Sequence, residues 1–187
     1  VRISGGAARG VTLQVPKGDL TRPATDGMRQ AVFSSLAARL PDARFVDLFA
    51  GSGAYGLEAF SRGAAGGVFV EQNAKAAACI RKNIAAVAKS AARSEAGMNL
   101  MTTDALAWAP LAGQGPDLVF IDPPYEIIAE VGPVLFARMT EWWPANADPV
   151  VIFEMPGDVT LEPPGWTCVK RLGKGAHQPT TAFFRRA

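Results

Sequence analysis

Residues 45–56 read Phe45-Val46-Asp47-Leu48-Phe49-Ala50-Gly51-Ser52-Gly53-Ala54-Tyr55-Gly56. Four apolar residues surround one acid and run into a glycine loop, which enters an alanine-rich helical pattern. The stretch predicts a strand, a turn and a helix, and glycines 51, 53 and 56 spell the G-x-G-x-x-G of nucleotide-binding α/β units. Such a loop lets backbone approach a ligand closely, and the helix start behind it offers free N–H groups to an anionic group. Neither property names the ligand, and a bare strand-to-helix turn can carry the same spelling.

Downstream the pattern alternates. Short apolar runs at 45–50, 67–72, 98–103, 117–122 and 149–155 predict strands, and most are separated by helical spacing. Ile80, Ile84 and Val87 mark one helix face; Ile128, Val131, Leu135, Met139 and Trp142 mark another. Two further runs, 166–171 and 180–185, predict a hairpin closing one sheet edge. The expected fold is α/β, with a mostly parallel, seven-stranded, Rossmann-like sheet and helices on both faces. Trp142 and Trp143 read as packing residues, while Trp108 has no place in this pattern.

Upstream, residues 1–20 carry two short β-like runs around glycines and predict a hairpin. Thr21 to Asp26 is extended and ends in an N-cap, and Met28, Val32, Leu36 and Leu40 predict a helix over 26–40 that stops near Pro41. The chain divides accordingly into an N-terminal β-hairpin extension, 1–24, and a main domain, 25–187.

A length of 187 residues suits one ordinary domain. No apolar run is long enough to span a bilayer and no basic-then-apolar leader is present, so the expectation is a cytoplasmic protein, acting as a monomer. Cys79, Cys168 and a single histidine, His177, argue against a metal cluster, a disulfide framework or a histidine-based triad. The net charge of +2 hides an uneven distribution. Residues 1–44 hold seven Lys/Arg against three Asp/Glu, residues 45–165 seven against fourteen, and residues 166–187 five against none. Basic ends around an acidic middle suit a polyanion such as RNA or DNA, although basic termini also serve solubility alone.

In open α/β sheets, ligands bind beyond the carboxyl ends of the strands. Asp47, Glu71, Asp104 and Asp122 each stand near such an end. Glu71 lies where nicotinamide proteins also place a ribose-binding acid, so it does not discriminate. The four together would repel a pyrophosphate and attract a cation. S-adenosylmethionine carries an ammonium, a sulfonium, a ribose and a carboxylate, and calls for both acids and N–H groups.

The most specific signal is Asp122-Pro123-Pro124-Tyr125 after the apolar run Val119-Phe120-Ile121. Two prolines lock a rigid turn that lacks N–H donors. The Asp122 carboxylate, with a carbonyl of Pro123 or Pro124, can accept both hydrogens of an exocyclic amine and aim its lone pair. Tyr125 supplies a flat face, and base stacking of about 1–3 kcal/mol offsets much of the cost of extruding a nucleobase.

In these motifs the chain resembles class I S-adenosylmethionine-dependent amino-methyltransferases. More narrowly, Arg2-Ile3-Ser4-Gly5-Gly6, Arg9-Gly10, Arg22-Pro23-Ala24-Thr25-Asp26 and Arg29 resemble the bacterial RsmD family, which methylates N2 of a guanine in 16S ribosomal RNA. The resemblance implies that Asp47, Phe49, Gly51, Ser52 and Gly53 hold the methionine end of S-adenosylmethionine, Glu71 the ribose, and Asp104 with Ala105 the adenine. It implies that Asp122, Pro123, Pro124 and Tyr125 hold the target guanine. Phosphates of 16S RNA, free or in a small-subunit assembly particle, would be gripped by Arg2, Arg9, Arg22, Arg29, Lys170, Arg171 and Lys174, with no metal. One position departs from the family: Gly27 stands where a basic residue is usual. Two other readings share parts of the pattern. A nicotinamide-dependent oxidoreductase would use the glycine loop and leave the Pro-Pro turn unexplained; a non-catalytic RNA-binding module would use only the basic ends.

Overall fold

A computed structural model describes residues 1–18, 25–173 and 175–187. Its centre is one seven-stranded sheet in the order β3-β2-β1-β4-β5-β7-β6. The strands are β1 (Arg44–Leu48), β2 (Gly66–Val70), β3 (Met98–Met101), β4 (Leu118–Ile121), β5 (Val150–Pro156), β6 (Trp166–Leu172) and β7 (Pro179–Arg186). The first five are parallel, and β7 joins β5 antiparallel with β6 outside it, as expected for a closing hairpin.

The helices follow the predicted periodicities. α1 (Asp26–Ser35), α2 (Ala54–Ser61) and α3 (Ala74–Ser90) cover one face, and α4 (Ile128–Met139) covers the other. Apolar side chains of alternate strand positions reach both layers, because a sheet covered on both sides must be apolar on both. Trp142 and Trp143 are buried against α4's layer as expected, and Trp108 packs edge-on against Trp142 at 5.4 Å.

Two local expectations change. The helix predicted over 26–40 ends at Ser35 and is followed by a 3₁₀ turn, Ala37–Arg39. Its cap is Thr25, whose hydroxyl accepts from Met28 N; Asp26 instead lies in the first turn, facing Arg2 and Arg29. The N-terminal hairpin reduces to one antiparallel bridge, Arg2 with Thr12, around a tight glycine loop. That loop is held on α2: Gly5 N and Ser4 N donate to Glu58, and Ala8 N donates to Ser61 Oγ. A segment this short buries too little surface to fold alone, so it borrows its partners from the main sheet layer.

The strand order reverses between β1 and β4. Leu48 pairs with Ile121, so the loops that leave these strands at Phe49 and at Asp122 start side by side. Such a switch point opens a crevice at the strand ends, where ligands of α/β sheets bind.

Candidate active site

On the β1 side, the loop turns through left-handed backbone. Phe49, Gly51 and Gly53 have φ of 57°, 58° and 83°. A non-glycine residue in that region is uncommon and stores strain, which clusters at ligand sites. The three fingerprint glycines have separate reasons. A Cβ at Gly51 would meet nothing within 4 Å, so this backbone faces open space. Gly53 caps α2 in the left-handed conformation. At Gly56 a Cβ would stand 2.5 Å from the Phe69 ring and 2.6 Å from the Phe45 ring, so only glycine lets α2 settle on the sheet.

Beneath this loop, Asp47 is 1% exposed and its Oδ2 accepts from Gly56 N at 3.0 Å. Burial raises its pKa to about 8, the Gly56 donor opposes the rise, and the Glu71 carboxylate adds to it. Its carboxyl therefore ties strand to helix from within the fold. Glu71 is half-buried and receives Gly51 N and Asn73 N, both at 2.8 Å, one on each oxygen. Each oxygen retains a free lone pair for a hydroxyl. Asp104 is exposed and caps a 3₁₀ turn by accepting from Leu106 N, while Ala105 is buried behind it.

On the β4 side, Asp122 N approaches Leu48 O at 3.4 Å, fastening the Asp-Pro-Pro-Tyr turn to the glycine loop's strand. Pro123 is buried, Pro124 exposed, and Tyr125 is 42% exposed at the start of a 3₁₀ turn that leads into α4. Burial pushes the Asp122 carboxyl well above its usual range, and the nearby Glu154 and Asp47 carboxyls push it further. Asp47, Glu71 and Asp122 thus gather at the switch point. Asp104 lies exposed three residues past the end of β3.

Four residues outside the predicted set complete the site. Glu154 of β5 is 3% exposed and accepts from the Tyr55 hydroxyl at 2.7 Å. It ends the apolar run Val150-Val151-Ile152-Phe153, so the strand-end rule that selected the other acids applies to it equally. Tyr55 stacks on Phe120 at 5.5 Å, linking α2 to β4. Glu58 is fully buried and pairs with Arg29 and Arg62. Asn83 of α3 donates to Ser52 O and to Gln14 O and accepts from Gln14 N, joining the glycine loop to the N-terminal segment.

The basic residues separate by environment. Arg9 is exposed, and Arg2 is exposed and paired with Asp26. Lys170 is exposed and reaches Ser35 Oγ at 2.8 Å, so the basic C-terminal hairpin lies beside α1. Arg171 points its guanidinium at the carbonyls of Gly157 and Val159. Arg29 is a correction: its side chain is 2% exposed, held by Asp26, Glu58 and the Arg2 carbonyl, and is sealed from any phosphate. Arg22 and Lys174 lie outside the described residues.

Of the residues named above, Arg171 lines a cavity near 160–171, while neither that cavity nor a second one between α4 and 161–164 takes in the glycine loop, the strand-end acids or the Asp-Pro-Pro-Tyr turn. The candidate site is instead the crevice over β1 and β4, defined by strand order and by the side chains that converge there. Among the described residues no group of His, Cys, Asp and Glu is placed to hold a metal ion.

This architecture is the Rossmann-like fold of class I methyltransferases. Over residues 1–181 the chain matches the family described as conserved hypothetical protein 95, and it belongs to that family, the RsmD family. The Escherichia coli protein named ribosomal RNA small subunit methyltransferase D is 38% identical over 125 residues, or 67% of this chain. The chain spans 60% of that relative's length. The Haemophilus influenzae protein of the same name is 30% identical over 176 residues, covering 94% of this chain and 89% of its own. Among solved structures, Escherichia coli YhhF, described as a candidate methyltransferase, aligns over 100% of this chain and 97% of its own, with a TM-score of 0.82 and 27% identity.

Proposed function

We propose that this protein transfers a methyl group from S-adenosylmethionine to the exocyclic N2 amine of a guanine in small-subunit ribosomal RNA. The observation that carries the reading is the placement of the Asp122-to-Tyr125 turn directly beside the glycine loop at the switch point. The names of the two relatives point to the same substrate class.

The residues present fit the cofactor. Gly51 offers open backbone, Glu71 keeps lone pairs for ribose hydroxyls, and Asp104 stands exposed where it can meet an adenine with Ala105 at its back. Phe49, Ser52 and Gly53 shape the loop for the methionine end, and Asp47 supports it from below. When bound, the cofactor supplies an electrophilic methyl on a sulfonium. Asp122 accepts an amine hydrogen and orients the nitrogen lone pair, and Tyr125 stacks on the extruded base. The donor would leave its C–S electron pair on sulfur, and the amine nitrogen oriented by Asp122 would bond the methyl carbon and release one proton to solvent.

Arg2, Arg9, Lys170 and Arg171 form the basic set available to phosphates, with Arg22 and Lys174 in the undescribed residues of the same two regions. Residues 1–24 act in this reading as an RNA-binding extension of the domain 25–187, and the protein works as a cytoplasmic monomer on 16S RNA or its assembly particle. Transfer of labelled methyl to small-subunit particles and to naked 16S RNA, followed by nucleoside analysis, tests the reading. The expected product is N2-methylguanosine, abolished in Asp122→Ala. Label on another base, or stabilisation by NADH and not by S-adenosylhomocysteine, overturns it.

A further inference from the structure

Behind Asp122 lies a second acid, Glu154, that takes no part in the proposed transfer. Ile121 of β4 pairs with Phe153 of β5, so Asp122 and Glu154 follow each other in register on neighbouring strands. They leave the sheet on the face occupied by Phe120, Ile152 and α2. Glu154 is nearly sealed from water, as is the Tyr55 hydroxyl that donates to its Oε2. Burial raises the pKa of this carboxyl, and the Tyr55 hydrogen bond and the Arg29 charge oppose that rise by favouring its ionised form.

We infer that Glu154, held by Tyr55, is a positioning residue that sets the protonation of Asp122 and so the pH at which the target amine is accepted. This inference rests on the proposed amine methylation. Two neighbouring carboxyls shielded from water do not both ionise freely, so a charge on Glu154 holds the Asp122 proton more tightly. The raised pKa of both carboxyls agrees with this arrangement, burial being the larger cause for each. The other groups that face the pair are Asp47 of β1, which holds the Asp122 proton more tightly once it is itself ionised, and Arg29 of α1, which favours ionised Glu154. Arg29 is itself shared with Glu58 of α2, and β7 contributes the uncharged Thr181 opposite Glu154. Because Tyr55 lies in the first turn of α2, two residues after Gly53, the same hydroxyl joins the cofactor-side helix to the acceptor-side acid.

The test is the pH profile of methyl transfer. In the wild type the acid limb, where Asp122 gains its proton, lies above the ordinary carboxylate range. Glu154→Gln removes the charge, and the limb moves down by about one pH unit or more. Tyr55→Phe removes the donor, Glu154 neutralises more readily, and the limb moves in the same direction by a smaller amount. S-adenosylhomocysteine affinity, read by calorimetry, stays within about twofold for Tyr55→Phe, which separates positioning from loss of fold. If wild-type transfer to guanine is measurable and neither variant displaces the limb, the inference is overturned and the functional reading stands. If the wild type methylates no guanine amine, it is the functional reading that fails.

Discussion

Nε of Arg29 lies 3.5 Å from Oε1 of Glu58, and the two side chains are 2% and 0% exposed. The same carboxylate receives Ser4 N, Ser4 Oγ, Gly5 N and Arg62 Nε, so the N-terminal loop, α1 and α2 meet at one buried acid. Glu58→Ala leaves the Arg29 guanidinium buried without that partner. Breaking a buried pair in this way costs about 3–5 kcal/mol. Urea unfolding should show a loss of that order, with Glu58→Gln intermediate because its amide oxygen still accepts. A loss below about 1 kcal/mol for Glu58→Ala, the range of an exposed pair, would contradict the buried geometry.

Asp47 makes the stability of the ligand-free protein depend on pH. An unfolded aspartate titrates near about 4, whereas folded Asp47 does so at about 8. Between those values the folded chain holds a proton that the unfolded chain has released. The stability this group contributes is therefore complete below the lower value and lost as pH rises through the higher one. Asp47→Asn has no such titration and keeps an acceptor for Gly56 N. Its Tm should fall less than the wild-type Tm between about pH 5 and 9; identical slopes refute the assignment.

Gly56→Ala tests the packing beneath the loop. The added methyl collides with the rings of Phe69 and Phe45, neither of which is a flexible chain end. Overpacking of this kind costs about 1–3 kcal/mol, and the lost glycine entropy does not compensate. Gly51→Ala meets no atom, so its penalty is confined to the left-handed backbone. Chemical denaturation should rank Gly56→Ala as the more damaging of the two in the absence of cofactor, and the reverse order would show that α2 does not sit so close to the sheet.

Tyr125 at the mouth of the crevice carries the stacking role in the proposed reaction. Tyr125→Ala should lower kcat/KM by about ten- to a hundredfold, the range of one lost base stack, with S-adenosylhomocysteine affinity unchanged. Tyr125→Phe retains the flat face and most of the rate. Equal losses in the two variants would assign the effect to the hydroxyl.

The strands, the glycine loop and the Pro-Pro turn were legible in the order of residues because short-range sterics produce them. An apolar run feeds a turn that needs left-handed backbone, and two prolines end a strand wherever they occur. Alternation then implied a parallel sheet, and the strand-end acids followed from the sheet. The same rule could have reached Glu154, which ends an apolar run as Asp122 does. Arg29 illustrates the opposite case. As a letter it counts toward a basic N-terminal region, yet it is consumed by Asp26 and Glu58 inside the fold.

Local spacing along the chain was thus enough for the individual strands and helices, the glycine loop and the Asp-Pro-Pro-Tyr turn, since each arises from interactions within a few residues. Which charges stay available, and which acid stands behind which, emerged from folding. Tyr55 and Glu154 are 99 positions apart, and Gln14 and Asn83 are 69. Pairs so distant meet through sheet order and helix packing, and it is burial at those meetings that shifts the carboxyls and withdraws Arg29 from solvent.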